Sequence, residues 1–405
     1  MREAVIVAAA RSPIGRAHKG SLRECRADDL ATAVTRAALG QVPELDPADI
    51  EDLLVGCAQP AGEQGYGLSR MIALGLDLDA LPGTTVQRYC ASSVQTTRMA
   101  AHAVLAGEGD VFISAGVEVV SGYTRGKADG MPDTGNPRYG DATKRTQAIA
   151  EGTLEWKDPR IDGELPNPYV AMGLTAEFVA AQRGVSRRSQ DEFATLSQNR
   201  AEAAVTAGVF ATEIVPITTP DGSVVYTDDS PRPGVTAESL AILKPVFHRD
   251  GTVTAGNCCP LNDGAAALVV MSDQKASDLG ITPLARIVST GVSALSPEIM
   301  GLGPVEASQQ AMRRAGLSIG DIDLVEINEA FAAQVLPSCD DLGADLDKVN
   351  VYGGAIALGH PFGMTGARMT VTLLNALRRR DETLGLVTMC AAGGQGMAMI
   401  VERVS

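Results

Sequence analysis

Along the first third of the chain, short apolar runs alternate with longer stretches whose apolar positions recur every three or four residues. The short runs predict strands at Glu3–Ala10, Asp52–Ala58, Thr84–Tyr89 and Asp110–Val119, and the longer period predicts helices at Asp28–Leu39 and Ala91–Ala106. In the second helix Val94, Thr97, Ala101, Val104 and Leu105 share one apolar-leaning face. This alternation breaks between Ser121 and Asp250. There Gly122–Pro168 is polar and rich in Gly, Pro and charge, which predicts long loops with short helices. A helix centred on Asp191–Glu202 follows, and Pro231-Arg-Pro-Gly marks another break.

The pattern then resumes with strands at Ala265–Met271, Arg286–Ser293, Leu324–Ile327 and Val349–Tyr352 and helices at Pro304–Ala315 and Ala330–Leu342. Helix Thr365–Arg378 and strands Leu384–Met389 and Gly396–Val401 complete it. Each half runs strand, reactive loop, helix, strand. The expected fold class is therefore α/β, with two duplicated halves and the site between them. The expected division is a first half over 1–120, completed by about 252–272, an inserted loop domain over 121–251, and a second half over 273–405.

Composition narrows the function classes. The chain has 405 residues, 45% of them apolar but only 4% aromatic, and 43 Gly suggest close backbone packing. A net charge of -15 speaks against a general nucleic-acid binder, although one local basic pocket suffices for a single anionic ligand. No apolar run has membrane-spanning length, the N-terminus enters a strand at once, and the last residues are no peroxisomal address. Seven Cys without CxxC spacing fit reduced thiols better than disulfides or zinc, so a cytoplasmic protein with no metal is expected.

Three segments carry candidate chemistry. Cys90, in Thr85-Val-Gln-Arg-Tyr-Cys-Ala-Ser-Ser-Val, follows a strand and precedes a helix, whose positive end is expected to lower the thiol pKa. His360 lies in the turn Leu358-Gly-His-Pro-Phe-Gly, placed to take a thiol proton and return it. Cys390 precedes Ala391-Ala-Gly-Gly-Gln-Gly, where close backbone and free N–H groups suit an anion. Asn328, in Asn328-Glu-Ala-Phe, closes a strand and opens a helix; it suits orientation of a water or an oxyanion, or simply a helix cap. Alone, Cys90 reads equally well as a small buried hydrophobe. Two thiols and an imidazole at strand-to-loop junctions make acyl transfer through a thioester the better reading.

Together with Val5-Ile-Val-Ala-Ala-Ala-Arg-Ser-Pro-Ile-Gly, Thr254-Ala-Gly-Asn, Asn262-Asp-Gly-Ala-Ala and Met300-Gly-Leu-Gly-Pro, these motifs give the whole chain a resemblance to the thiolases, the acetyl-CoA acetyltransferases and 3-ketoacyl-CoA thiolases. The resemblance implies two thiolase-like α/β halves, with a loop domain inserted in the first. It implies a ping-pong mechanism with coenzyme A as co-substrate, no permanently bound cofactor, and a homodimer or homotetramer. It makes Cys90 the acylated nucleophile, His360 its activator, and Cys390 the acid and base at the α-carbon. Asn328 would hold a water that forms one oxyanion hole with His360; N–H groups of Cys90 and Ala392 would form the other. Met172, Met300 and Phe331 would line the acyl pocket, with Cys259 and Arg232 near coenzyme A.

Some positions depart from the family pattern. Ser93 and Ala392 stand where Gly is usual, and Cys259-Pro260 replaces a Ser-Gly pair beside the pantetheine. Ala171, where acetoacetyl-specific relatives carry His, suggests a roomier pocket and cleavage of longer 3-ketoacyl-CoA. Condensation to acetoacetyl-CoA is the alternative. A catalytically silent acyl-CoA-binding subunit is a third reading, which the intact Cys90, His360, Cys390 and Asn328 oppose. A carrier-protein ketoacyl synthase is opposed by the second Cys.

Overall fold

A computed structural model describes residues 2–129 and 134–405. Nine principal strands are β1 (Ala4–Arg11), β2 (Asp52–Gly56), β3 (Gly83–Val86), β4 (Val111–Val119), β5 (Asn262–Ser272), β6 (Ala285–Ala294), β7 (Leu324–Ile327), β8 (Leu384–Ala391) and β9 (Gln395–Arg403). They form one sheet in the order β7-β8-β9-β6-β1-β5-β4-β2-β3, with the short strand Gly15–Arg16 added on β5.

The duplication expected from the sequence is visible in strand pairing. In the first half β1 pairs antiparallel with β5, β5 antiparallel with β4, and β4 parallel with β2. The second half repeats this as β6 with β9, β9 with β8, and β8 parallel with β7. The halves join where β1 meets β6, at Val5–Arg286 and Ile6–Ala285.

One strand differs from expectation. Beside β2 lies β3, but the matching stretch Val349–Tyr352 beside β7 shrinks to a single parallel bridge, Val325–Val349. Asn350, at φ 46, turns the chain out of the sheet. Its carboxamide takes over the edge bonding: Nδ2 donates to the Ile327 carbonyl and Oδ1 accepts from the Ile327 N–H, both at 2.9 Å.

The principal helices are α1 (Ala27–Leu39), α2 (Leu68–Gly75), α3 (Ser92–Ala106), α4 (Gly140–Ala150), α5 (Met172–Arg183), α6 (Arg187–Thr206), α7 (Gly303–Ala315), α8 (Ala332–Leu342) and α9 (Thr365–Arg380). Helices α3 and α9 share one apolar core with β1, β5 and β9. Helices α1 and α2 fill a second core with β4 and β5, and α7 and α8 a third with β8 and β9. Every residue of α9 from Thr365 to Leu377 is buried, so this helix is central rather than amphipathic. It crosses α3 closely because Gly366 has no side chain: a Cβ there would lie 2.7 Å from the Val94 nitrogen. Between β4 and β5 the chain carries α4–α6 and a small hairpin, Ile217–Thr218 with Val224–Val225. Residues 130–133 of the Gly122–Pro168 stretch lie outside the described residues.

Candidate active site

The strand expected through Tyr89 ends at Val86, because the chain turns sharply before Cys90. Tyr89 holds φ 45, a costly conformation for an aromatic residue and one that surrounding contacts must enforce. Ser92 supplies two of them: its Oγ accepts from the Arg88 N–H at 2.9 Å and donates to the Tyr89 carbonyl at 2.6 Å. Arg88 also donates to Gln395 Oε1 at 2.7 Å, at the start of β9 and just past the turn that follows Cys390.

The helix end does not lower the Cys90 pKa as the sequence suggested. Burial, reinforced by the Glu118 carboxylate, pushes the thiol up to about 12, while its own N–H and that of Ala392 oppose the shift. At neutral pH Cys90 is therefore a thiol awaiting a base. The Ala392 N–H is aimed at the sulfur, as an oxyanion-hole donor would be. Ala392 itself is not among the residues of positive φ; the left-handed turn falls on Gly393 and Gly394, both at φ 77, so its Cβ costs nothing there. Ser93 also has a use, since its Oγ accepts from the Ala367 N–H at 2.9 Å in the first turn of α9.

His360 is fixed from three sides. Its N–H donates to Asn262 Oδ1 at 2.9 Å. The preceding Gly359 sits at φ 112, where a Cβ would press within 2.7 Å of that carboxamide. Its Nδ1 lies 2.6 Å from Thr365 Oγ1, and that hydroxyl donates to the Pro361 carbonyl at 2.7 Å. With its hydrogen committed, Thr365 can only accept, so Nδ1 carries the proton and Nε2 is the basic nitrogen. Asn328 Nδ2 lies 3.3 Å from Nε2 and donates to it. Burial, with Arg368 adding to it, pulls the imidazole down to about 3, so it is neutral at physiological pH. Replacing Thr365 with Val should release the tautomer and slow acylation of Cys90 by roughly 100-fold; Thr365→Ser should restore it. Stopped-flow acylation of both variants is the check, and an unaffected Val variant would remove the hydroxyl from this role.

The segment bearing His360 is tied to the loop after β2 through Glu118, a lone acid in the otherwise uncharged β4. Its carboxylate accepts from the Ala58 N–H, Gln64 Nε2, the Tyr123 hydroxyl and the Gly363 N–H, three residues after His360. Among the described residues Asn328 Oδ1 is buried without a hydrogen-bond partner, an acceptor left for something held in the site.

Cys390 is fully buried near the end of β8. Burial raises its pKa, and the nearby Cys90 raises it further. It packs in one apolar cluster with Met300 and Phe331, against which Met172 and Cys258 rest, so the three expected pocket-lining residues come together. The Cys259 pKa is raised by burial and by Cys258, Cys90 and Cys390, which places it near all three of those thiols. Arg232 lies on the same side: burial lowers its pKa, the nearby Arg16 lowers it further, and Cys258 opposes the shift. Neither Arg16 nor Arg232 forms an ion pair among the described residues. Sequence reasoning missed Thr365, Asn262 and Glu118. The last had a visible signal, a single carboxylate inside an apolar strand.

The thiolase N-terminal domain family matches residues 4–274 and the thiolase C-terminal domain family matches residues 281–403. The 3-ketoacyl-CoA thiolase of Serratia proteamaculans is 44% identical, with all of both chains covered. That of Bacillus subtilis is 41% identical over 99% of this chain and 100% of its own. The crystal structure of the Bacillus anthracis acetyl-CoA acetyltransferase superposes with a TM-score of 0.87 at 37% identity, covering 100% of this chain and 99% of that one. By family match, fold and full-length similarity alike, the chain belongs to the thiolase family.

Proposed function

We propose that this chain is an acyltransferase that cleaves 3-ketoacyl-CoA with coenzyme A, releasing acetyl-CoA and a shortened acyl-CoA. The observation that carries the reading is the pair Cys90 and Cys390, close enough for Cys90 to raise the Cys390 pKa, with the Ala392 N–H aimed at the first sulfur. Cys90 attacks the β-keto carbon while Nε2 of His360 takes the thiol proton. The carbon–carbon bond breaks, and Cys390 gives its proton to the α-carbon of the departing enolate. Coenzyme A enters, Cys390 removes its thiol proton, the new thiolate takes the acyl group from Cys90, and His360 returns its proton to the departing Cys90 sulfur. Asn328 and His360 hold one oxyanion through a water; the Cys90 and Ala392 N–H groups hold the other.

The block over 121–251 covers the coenzyme A site in this reading, with Arg232 on the nucleotide phosphates and Cys259 beside the pantetheine. The unpaired Arg16 and Arg232 support that placement in a chain of net charge -15. The full-length similarity to named 3-ketoacyl-CoA thiolases favours cleavage over condensation. Seven free thiols suit a reducing cytoplasm, and no helix of the described residues is long and apolar enough to cross a membrane. A homo-oligomer, at least a dimer, is supported by the open edge of β3 and the exposed Tyr66, Met71 and Leu74 beside it.

The test is coenzyme A-dependent loss of 3-ketoacyl-CoA over a panel of chain lengths that includes acetoacetyl-CoA. Turnover that improves with length is the expected result. Activity confined to acetoacetyl-CoA would move the assignment to an acetyl-CoA acetyltransferase, and no turnover would favour a silent acyl-CoA-binding subunit.

A further inference from the structure

Gln334, the third residue of α8, is fully buried beside Cys390. One terminal atom of its carboxamide lies 3.8 Å from Cys390 Sγ. The neighbours decide which atom it is. As nitrogen it donates to the Asn328 carbonyl at 3.1 Å, while the amide oxygen accepts from the Val335 N–H at 3.1 Å. The opposite orientation sets oxygen against the Asn328 carbonyl and NH2 against the Val335 N–H, and leaves the oxygen only a long S–H contact from Cys390 at 3.8 Å. Gly301 lets the chain pack against the base of this side chain: a Cβ there would lie 2.5 Å from the Gln334 Cβ.

We infer that Gln334 is a further catalytic residue, whose amide N–H donates to the Cys390 sulfur and favours its thiolate. The inference rests on the reading of Cys390 as the acid and base at the α-carbon. An NH2 group has two hydrogens: one goes to the Asn328 carbonyl, which holds the amide in plane, and the other points at sulfur. It offers no acceptor to an S–H, so the contact strengthens only when sulfur is anionic. In the cleavage half-reaction the S–H bond breaks, a C–H bond forms on the enolate, and the electron pair stays on sulfur. That thiolate persists until coenzyme A returns a proton to it. The other titratable groups around Cys390 are Cys90 at the turn before α3, Cys258 and Cys259 before β5, and His360 before α9. None of them is a carboxylate or a permanent cation; beside the backbone N–H of Cys390 itself, which also favours the thiolate, the Gln334 amide is a side-chain group placed to discriminate thiol from thiolate.

The test compares Gln334→Met, which keeps length and loses the N–H, with Gln334→Glu, which keeps shape and reverses the dipole. Two quantities are read: the pH dependence of Cys390 alkylation, by peptide mass spectrometry in a Cys90→Ala background, and solvent deuterium exchange into acetyl-CoA in the Cys90 form. The Met variant should slow Cys390 alkylation roughly tenfold at every pH, the equivalent of shifting its rate profile up by about one pH unit. Glu should shift it further, and exchange should fall while acylation of Cys90 stays within about twofold. An unmoved rate profile in a folded Met variant, or equal loss of exchange and acylation, would overturn the inference. If the unsubstituted protein never acylates Cys90, the functional reading fails, and the alkylation rate profile still decides the role of Gln334.

Discussion

Cys90→Ala should abolish acyl-enzyme formation and lower thiolysis by at least about 10⁴-fold, with binding of acyl-CoA retained. No other thiol can substitute. Cys390 is committed to the α-carbon in the proposed cycle, and Cys259, although near both sulfurs, lies on a separate loop with a strongly raised pKa. Incubation with a 3-ketoacyl-CoA followed by intact-mass measurement checks this directly. A covalent acyl adduct that survives in the Ala variant would mean the nucleophile has been misassigned. The same residue carries a pH signature. With the Cys90 thiol at about 12 and the His360 imidazole at about 3, the resting pair is neutral throughout the physiological range. A thiol well below its pKa gains thiolate tenfold per pH unit. Labelling of Cys90 by iodoacetamide should therefore climb about tenfold per unit between roughly pH 6 and 9. A plateau near neutrality would reveal a thiolate–imidazolium pair instead.

Cys390→Ala should separate the two halves of the chemistry. Removing the acid and base at the α-carbon should cost roughly 10³-fold in cleavage and in α-proton exchange. Acylation of Cys90 by a simple acyl-CoA needs no proton on carbon, and it should retain measurable rate. Following deuterium uptake at the methyl group of acetyl-CoA alongside acyl-enzyme mass gives both numbers from one preparation. Equal loss of the two would contradict this division of labour. The smaller side chain leaves a small cavity beside Met300 and Phe331, so thermal melting should accompany the kinetics.

The order of strands and helices was legible because it follows from periodicity. Leu324–Ile327 matched to the residue, and α1, α3, α7 and α9 came within a few residues of expectation. Val349–Tyr352 failed for a reason that periodicity does not encode: a side-chain amide replaced backbone pairing at Asn350. The strand into Cys90 was cut short by the positive φ of Tyr89, held by the local hydrogen bonds of the Ser92 hydroxyl, which apolar periodicity does not encode. Cys90, His360, Cys390 and Asn328 stood out because reactive residue types at strand ends are rare in so apolar a chain. Their protonation states were not legible. The sequence suggested a thiol lowered by a helix end, whereas burial and Glu118, from a strand distant in sequence, decide it the other way. Thr365 and Gln334 were missed because their chemistry lies in where one hydrogen points.

The unequal ends of the sheet bear on how copies of this chain can associate. A sheet with two alike open edges can add neighbours at both and grow without limit. Here the outer flank of β7 is closed by the Asn350 turn, whereas β3, the terminal strand at the other end of the large sheet, has no strand beyond it among the described residues. A contact made by β3 with the same strand of a second copy uses up that edge on both molecules. Such an assembly ends at two along the sheet direction, a closed isologous pair instead of a fibre, and any larger complex must be built from a different surface.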